Sequence, residues 1–236
     1  MSVLNKQHIE ESYFRATRDY SKVITEVSEY NGEDRINIGC TQLHDESIHM
    51  IMTGLKGYSN RDKKRILDEW IDFLRSNTKE LKAIHFCSHV PQRLFDAACC
   101  QKNLEELYCK WGTYKNLSAL ENLKELKYLS IRGAAGFLDI STLGKLKTLI
   151  VLCVENFKSV EDYSFLATLD KLEQLVISGP ILGTVPIKDL DFLLDMKSLL
   201  SFWRPNTTLR KKYTDDELAA LRSALPNLTF CYNSGL

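Results

Sequence analysis

Four leucines place the strongest constraint on this chain. Leu104, Leu126, Leu149 and Leu172 recur at steps of 22 or 23 residues, and each opens the same short pattern: LEELYCK at 104–110, LKYLSIR at 126–132, LIVLCVE at 149–155 and LEQLVIS at 172–178. The shared form is L-x-x-L-x-Φ-x, with Φ apolar. Apolar residues alternating with others have the period of a strand that buries one face. A spacing held this constant marks a repeat architecture, in which each unit can bury its apolar side only against the units next to it.

A second pattern precedes each strand. Leu117/Leu120/Leu123, Ile140/Leu143/Leu146, Tyr163/Leu166/Leu169 and Leu190/Leu193/Met196 each end three residues before the next repeat leucine. Side chains at i, i+3 and i+6 stack on one side of a short helical or 3₁₀ segment, so each unit supplies a strand and a return segment. The later units stretch. Leu172 to Leu199 spans 27 residues and carries the extra loop ILGTVPIK, and Leu199 to Leu228 spans 29. In the last unit, Thr214-x-x-Glu217 reads as a capping box opening a helix through Leu218, Leu221 and Leu225, followed by a terminal strand LTFCY at 228–232.

Upstream, Ser59-x-x-Asp62 starts an amphipathic helix with Ile66, Leu67, Trp70, Ile71 and Leu74 on one face, running to about Ser76. A strand with Leu81, Ile84 and Phe86 follows. IHMIMT at 48–53 reads as a buried strand before the helix, so that strand, helix and strand form a first, longer turn of the coil. Residues 1–47 are expected to form an N-terminal cap over the open end of the stack, whose strand edge and apolar side chains would otherwise be exposed.

The stretch LKELKYLSIRGAAGFLDISTLGKLKTLIVL, with its DIS-x-L-x-x-L element at 139–146, resembles the short 22-residue class of leucine-rich repeats. The resemblance covers roughly residues 81–232, with a longer first turn beginning at Ile48. It implies an α/β solenoid: a right-handed coil of parallel strands with short helical or 3₁₀ return segments. The domain plan is a cap over 1–47 and a repeat domain over 48–236 that ends in a capping helix and strand. The family places Asn or Cys beyond the L-x-x-L-x-L core, where this chain has Gly112, Ala134 and Phe157. The inward hydrogen-bonding ladder of asparagines is therefore expected to be lost or replaced. The resemblance also implies a concave face that binds other macromolecules, and names no particular partner.

Composition narrows the partner. Thirty-one Lys and Arg balance thirty-one Asp and Glu, so there is no overall basic field to gather nucleic acid or an anionic membrane. No apolar stretch is long enough to span a bilayer and the N-terminus lacks the apolar run of a secretory signal, so a cytoplasmic location is expected. Seven cysteines without C-x-x-C spacing argue against a disulfide framework or a zinc ribbon. Cys99-Cys100 reads as buried packing, Asp215-Asp216-Glu217 as an acidic first helical turn, and Arg210-Lys211-Lys212 as a solvated loop. Phosphate-binding glycine loops, nucleophile elbows and H-E-x-x-H are absent, so no cofactor is expected.

With the repeat leucines turned inward, the intervening side chains are expected to face solvent on the concave side. These are Ala83, His85 and Cys87; Glu106, Tyr108 and Lys110; Tyr128, Ser130 and Arg132; Val151, Cys153 and Glu155; Gln174, Val176 and Ser178; and Ser201 with Trp203. Tyr108, Tyr128, Val151, Val176 and Trp203 make the surface partly apolar, and Lys110, Arg132 and Glu155 flank it. Aromatic anchors with a polar rim suit a protein ligand, although tyrosine and valine also favour strands for their own sake. His85-x-Cys87-x-His89 is the one spacing that suggests a metal, with His49 as a further donor. Three donors in line on one strand make a poor tetrahedron. The expectation is a non-enzymatic protein-interaction module. A metal-dependent or enzymatic site near His85, and a purely structural spacer, are the alternatives.

Overall fold

The computed structural model describes residues 25–29, 57–79, 81–132 and 139–232. The expected strand at 48–53, position 134 and nearly all of the segment 1–47 lie outside the described residues.

Among the described residues, seven strands form one parallel sheet: β1 (Ala83–Val90), β2 (Glu106–Gly112), β3 (Tyr128–Arg132), β4 (Val151–Glu155), β5 (Gln174–Ser178), β7 (Ser201–Trp203) and β9 (Phe230–Tyr232), in that spatial order. The register is that of the repeat. Ile84, Leu107, Leu129, Leu152, Leu175, Phe202 and Cys231 lie side by side across all seven strands. Phe86, Cys109, Ile131, Val154 and Ile177 form a second inward column. Both columns are buried across β1 to β5, as is Phe202. A shift by one residue would turn every leucine to the opposite face, so the alternation itself enforces this register.

The strands are clipped together at their starts. The carbonyls of Lys82, Glu105, Lys127, Ile150 and Glu173 each accept two successive backbone N–H groups from the next coil, for example Ile150 N (2.8 Å) and Val151 N (3.0 Å) at Lys127 O. The return segments are 3₁₀ helices at Ser118–Asn122, Ser141–Lys145, Ser164–Thr168 and Asp191–Asp195, and every member of the i, i+3, i+6 leucine pattern is buried.

Each of these segments starts on the same local device. The side-chain oxygens of Asn116, Asp139, Asp162 and Asp189 accept the backbone N–H two residues on, from Ser118, Ser141, Ser164 and Asp191, at 2.8 to 3.1 Å. This satisfies a donor that the turn would otherwise leave without an intrachain acceptor. The bond to the backbone N–H of Ser141 holds Asp139 below its ordinary value of 3.8, and that to Ser164 does the same for Asp162. Folded pKa values lowered in this way contribute stability that is complete above the unfolded value and is lost as the pH falls through the folded one. Thermal unfolding followed from pH 5 down to pH 2 should show this acid loss, which begins near the unfolded value of 3.8. In Asp139→Asn/Asp162→Asn, where the amide oxygen keeps the turn but cannot titrate, the decline should be shallower. An unchanged acid slope would contradict the assignment.

Among the described residues, three α-helices complete the coil. Helix α1 (Asn60–Ser76) begins as expected, with Ser59 Oγ accepting from Asp62 N at 3.1 Å, and buries Ile66, Trp70, Ile71 and Leu74. Helix α2 (Gln92–Ala98) has no counterpart in the repeat pattern. It replaces the 3₁₀ segment between β1 and β2, packs against α1 and buries Leu94, Phe95, Ala97 and Ala98. Helix α3 (Asp215–Ala224) opens on the Thr214/Glu217 capping box and packs on the last 3₁₀ segment. Gln101, fully buried, joins the first coil internally: its amide accepts from Leu81 N at 3.1 Å and donates to Leu74 O at 2.5 Å.

The segment expected to be an extra loop is partly a strand. Residues Val185–Ile187 (β6) pair in parallel with Thr207–Leu209 (β8), forming a separate two-stranded sheet. Val185 and Ile187 are fully buried, and Ile187 joins the continuous core of the coil.

Candidate functional site

The concave face follows from the register. One column runs Ala83, Glu106, Tyr128, Val151, Gln174, Ser201, and the next runs His85, Tyr108, Ser130, Cys153, Val176, Trp203. Arg132, Glu155 and Ser178 sit side by side in a third. With strands about 4.8 Å apart, the platform extends on the order of 29 Å across seven strands.

The expectation that all of these side chains meet solvent needs correction. Tyr128, Arg132, Val151, Glu155, Lys110 and Trp203 are half-buried, but Tyr108 is only 9% and Val176 only 5% exposed. His85, Cys153, Gln174, Ser178 and Ser201 are buried as well. Parallel strands in register set each side chain against its counterparts on both neighbours, so large residues in the central column cover one another. Tyr108 illustrates this, with the His85 ring 5.9 Å from its own and the Arg132 guanidinium 5.6 Å from its centroid.

An ion pair lies at the C-terminal ends of β3 and β4. Arg132 Nε lies 3.5 Å from Glu155 Oε2 and donates to Ser130 Oγ at 3.4 Å, while Nη2 is 4.0 Å from Cys153 Sγ. Burial pushes the Glu155 carboxyl above its ordinary range despite the attraction of Arg132. For Arg132, burial works against the charge, but Cys153, Tyr108 and Glu155 outweigh it and the net shift is upward. Burial also raises the thiols of Cys153, Cys109 and Cys99, which makes them inert packing groups rather than nucleophiles. For Cys99 this agrees with the packing role expected of Cys99-Cys100.

The metal-like spacing meets a bulge. The pairing of β1 with β2 shifts between Phe86 and His89, so the strict alternation that would align His85, Cys87 and His89 is interrupted. His85 Nε2 lies 2.9 Å from Glu106 Oε1, whereas the His89 ring is 4.5 Å from that of Trp111. Burial lowers the pKa of His89. Among the described residues no group of three or more His, Cys, Asp or Glu side chains is placed to hold a metal ion. The side chain of Cys87, and all of His49, lie outside them.

Trp111, 40% exposed at the C-terminal end of β2, was not among the expected contacts. Its signal was available, because two consecutive outward residues follow the L-x-x-L-x-Φ core before the chain turns in again at Gly112. Ile181 and Leu182, both strongly exposed in the loop after β5, are a second pair that the strand pattern did not single out.

This coil of in-register parallel strands with short return segments is a leucine-rich repeat solenoid. No family model and no curated protein matches the sequence. Among solved structures the chain is similar to internalin C2 of Listeria monocytogenes, at 21% identity and a TM-score of 0.42 over 58% of this chain and 64% of that one. It is also similar to the plant peptide hormone receptor RGFR1, solved in complex with RGF2, at 14% identity and a TM-score of 0.48 over 69% of this chain and 26% of the receptor. A leucine-rich repeat protein of Leptospira interrogans matches at 18% identity and a TM-score of 0.39, over 64% of this chain and 43% of that one. The chain spans less than two thirds of the length of each. The assignment of the fold rests on the coil itself.

Proposed function

We propose that this chain is a non-enzymatic module, working in the cytoplasm, that holds a protein ligand against its concave sheet. The observation that carries the reading is the continuous platform in which half-buried Tyr128, Val151 and Trp203 stand beside Lys110, Arg132 and Glu155. Rigid aromatic groups at the centre of a surface with charges at its margin bury area at modest entropic cost, and such residues dominate protein interfaces. Solvent-accessible Tyr128 and Trp203 take the leading role, and the largely covered Tyr108 and Val176 support them from the same outward face.

In the same reading residues 1–47 cap the first coil. Support comes from the described part of that segment: Trp70 Nε1 donates to Thr25 O at 2.7 Å, Arg65 pairs with Glu26 at 3.3 Å, and Val27 packs against the core.

The test is Tyr128→Ala combined with Trp203→Ala. Loss of these two aromatic contacts is expected to weaken capture of the protein ligand by at least about 30-fold. Thermal unfolding of the variant serves as the control for folding. Undiminished capture by a folded variant would reject the concave sheet as the binding face.

A further inference from the structure

The lysines two residues before the repeat leucines form a ladder whose members are not used alike. Counting back from Leu104, Leu126, Leu149 and Leu199 gives Lys102, Lys124, Lys147 and Lys197, with Asp170 before Leu172. In the later coils the fold uses the ammonium. Lys147 Nζ donates to Thr168 O at 2.7 Å and Lys197 Nζ to Ala224 O at 3.2 Å, each a carbonyl four residues before the next repeat leucine. The counterpart carbonyls for Lys102 and Lys124 are those of Asn122 and Lys145. Neither is reached. Among the described residues, these two ammoniums take part in no hydrogen bond and no ion pair.

A cavity of about 550 Å³ lies where the two lysines stand, lined by Thr78, Cys99, Cys100, Lys102, Asn122 and Lys124. Its position follows from a change of return segment. Thr78 lies just beyond α1, Cys99 and Cys100 directly follow α2, and Asn122 ends the 3₁₀ helix Ser118–Asn122. The cavity therefore opens where the α-helical coils give way to the tighter 3₁₀ ones. Lys102 N donates to Thr78 O at 2.6 Å and ties two sides of it together.

The lysines are the only charged groups in the lining. Cys99 is fully buried, and burial raises its thiol so that it stays protonated at neutral pH. Cys100 is half-buried and donates from Sγ to Asp96 O at 3.5 Å. Carboxylates close by along the chain are engaged or line another groove. Asp96 accepts from Gln92 Nε2 at 2.8 Å, Glu105 pairs with Lys127 at 2.7 Å, and Glu121 pairs with Lys145 at 2.9 Å. Glu125 lines a separate groove with Lys171 and Glu173, and Glu80 lies outside the described residues. Lys102 and Lys124 belong to adjacent coils, so their like charges repel, and an anion held by both relieves that repulsion.

We propose that this cavity binds a small amphiphilic anion, with its carboxylate or phosphate between Lys102 and Lys124 and its apolar body against Cys99 and Cys100. The volume lies within the roughly 300–1,000 Å³ of small-molecule sites, which combine an apolar lining with a few placed polar groups. The inference does not depend on the protein-binding function proposed above.

The experiment titrates octanoate, octyl phosphate, 1-octanol and inorganic phosphate into the full chain by calorimetry. In parallel, iodoacetamide labelling of Cys100 is followed by mass spectrometry, with exposed Cys231 as the internal reference. At least one of the two amphiphilic anions should bind, and the tighter of them names the acidic group. Neutral 1-octanol and bare phosphate should bind at least about 10-fold more weakly. The bound amphiphile should slow labelling of Cys100 and leave that of Cys231 unchanged. Lys102→Gln/Lys124→Gln should weaken binding by about 10-fold or more without altering thermal unfolding. Lys147→Gln, which loses the bond to Thr168 O, should bind as the wild type does. Equally tight binding of 1-octanol would make the cavity a plain apolar one, equally tight binding of inorganic phosphate a bare anion site, and either result overturns the proposal. So does unaltered binding in the double variant, or the absence of both binding heat and Cys100 protection in the wild-type chain. Tyr128→Ala/Trp203→Ala should retain amphiphile binding, so that this site and the concave sheet can fail separately.

Discussion

Replacing Phe157 with asparagine, the residue type the repeat pattern would place there, is expected to destabilise the protein by about 3–5 kcal/mol instead of restoring a family feature. Phe157 is 1% exposed, in the same continuous core as Leu152, Val154 and Leu175. Truncating a buried phenylalanine removes its transfer free energy and leaves a cavity, because the surrounding coils relax only in part. Asparagine adds an amide that the apolar pocket cannot satisfy. An asparagine ladder is stabilising only when successive coils supply the matching groups, and here the equivalent positions in the two preceding coils are Ala134 and Gly112, neither of which carries a polar side chain. For a chain of this length a loss of this size lowers the midpoint by on the order of 10 °C. Phe157→Leu, which keeps most of the volume, should cost far less. A Phe157→Asn variant that melts with the wild type would show that the coil carries a usable polar ladder after all.

Gly112 supports a second prediction, through what fills the space its missing side chain leaves. A Cβ there would meet the Tyr114 ring and come within 2.5 Å of the Val90 carbonyl oxygen. That oxygen already accepts from Thr113 N at 3.0 Å, so the backbone has little room to yield. Tyr114 is fully buried, stacks on Phe95 with centroids 4.8 Å apart, and donates from its hydroxyl to Arg132 O at 3.3 Å. Gly112→Ala should therefore cost about 1–3 kcal/mol as an overpacking change. Adding Tyr114→Leu should relieve the clash with the ring but not that with the carbonyl, so the double variant should be more stable than the sum of the single losses predicts. Strict additivity would mean that the two positions do not share this space.

Together the two positions explain how the coil does without the family's asparagine. At Gly112 the interior is completed by Tyr114, which reaches in from two residues further along the same coil and keeps one polar bond to the backbone. At Phe157 the ring itself fills the place. Aromatic volume substitutes for hydrogen bonding. The consequence for function is that the strands above are held by packing, and the concave columns they carry keep their register.

Much of this was legible before any coordinates. The L-x-x-L-x-Φ-x spacing places Leu107, Leu129, Leu152 and Leu175 in one column, because identical units can bury identical faces only by stacking without slip. The Ser59 cap with the Ile66/Trp70/Ile71/Leu74 face, and the capping box at Thr214, are local devices whose partners lie within a few residues. Helix α2 escaped notice because Leu94, Phe95, Ala97 and Ala98 form a compact run, not the i, i+3, i+6 series of the other return segments. The β6–β8 pair escaped because each strand is three residues long and is defined by a partner about twenty residues away.

The candidate site was legible in outline and wrong in depth. Alternation correctly assigns Tyr108, Tyr128, Val151, Val176 and Trp203 to the outward side of their strands, but outward is not the same as accessible. Tyr108 is covered by His85 and Arg132, which belong to the adjacent coils, whereas Tyr128 and Trp203 keep part of their surface. Trp111 lies beyond the strict alternation, at the point where the chain turns back toward the core.

By itself the amino-acid sequence determined the coil: the length of each turn, the inward columns and the starts of the helices, all of which follow from periodicity and from bonds between residues close along the chain. Only the tertiary structure decided which outward side chains are covered, how the interior is filled where asparagine is missing, and that Ile181 and Leu182 stand exposed on a loop tied to the next coil through Asn206. Those outcomes depend on side chains one or more coils apart being packed against each other, and neither a local pattern nor a repeat spacing records what a neighbouring turn will present.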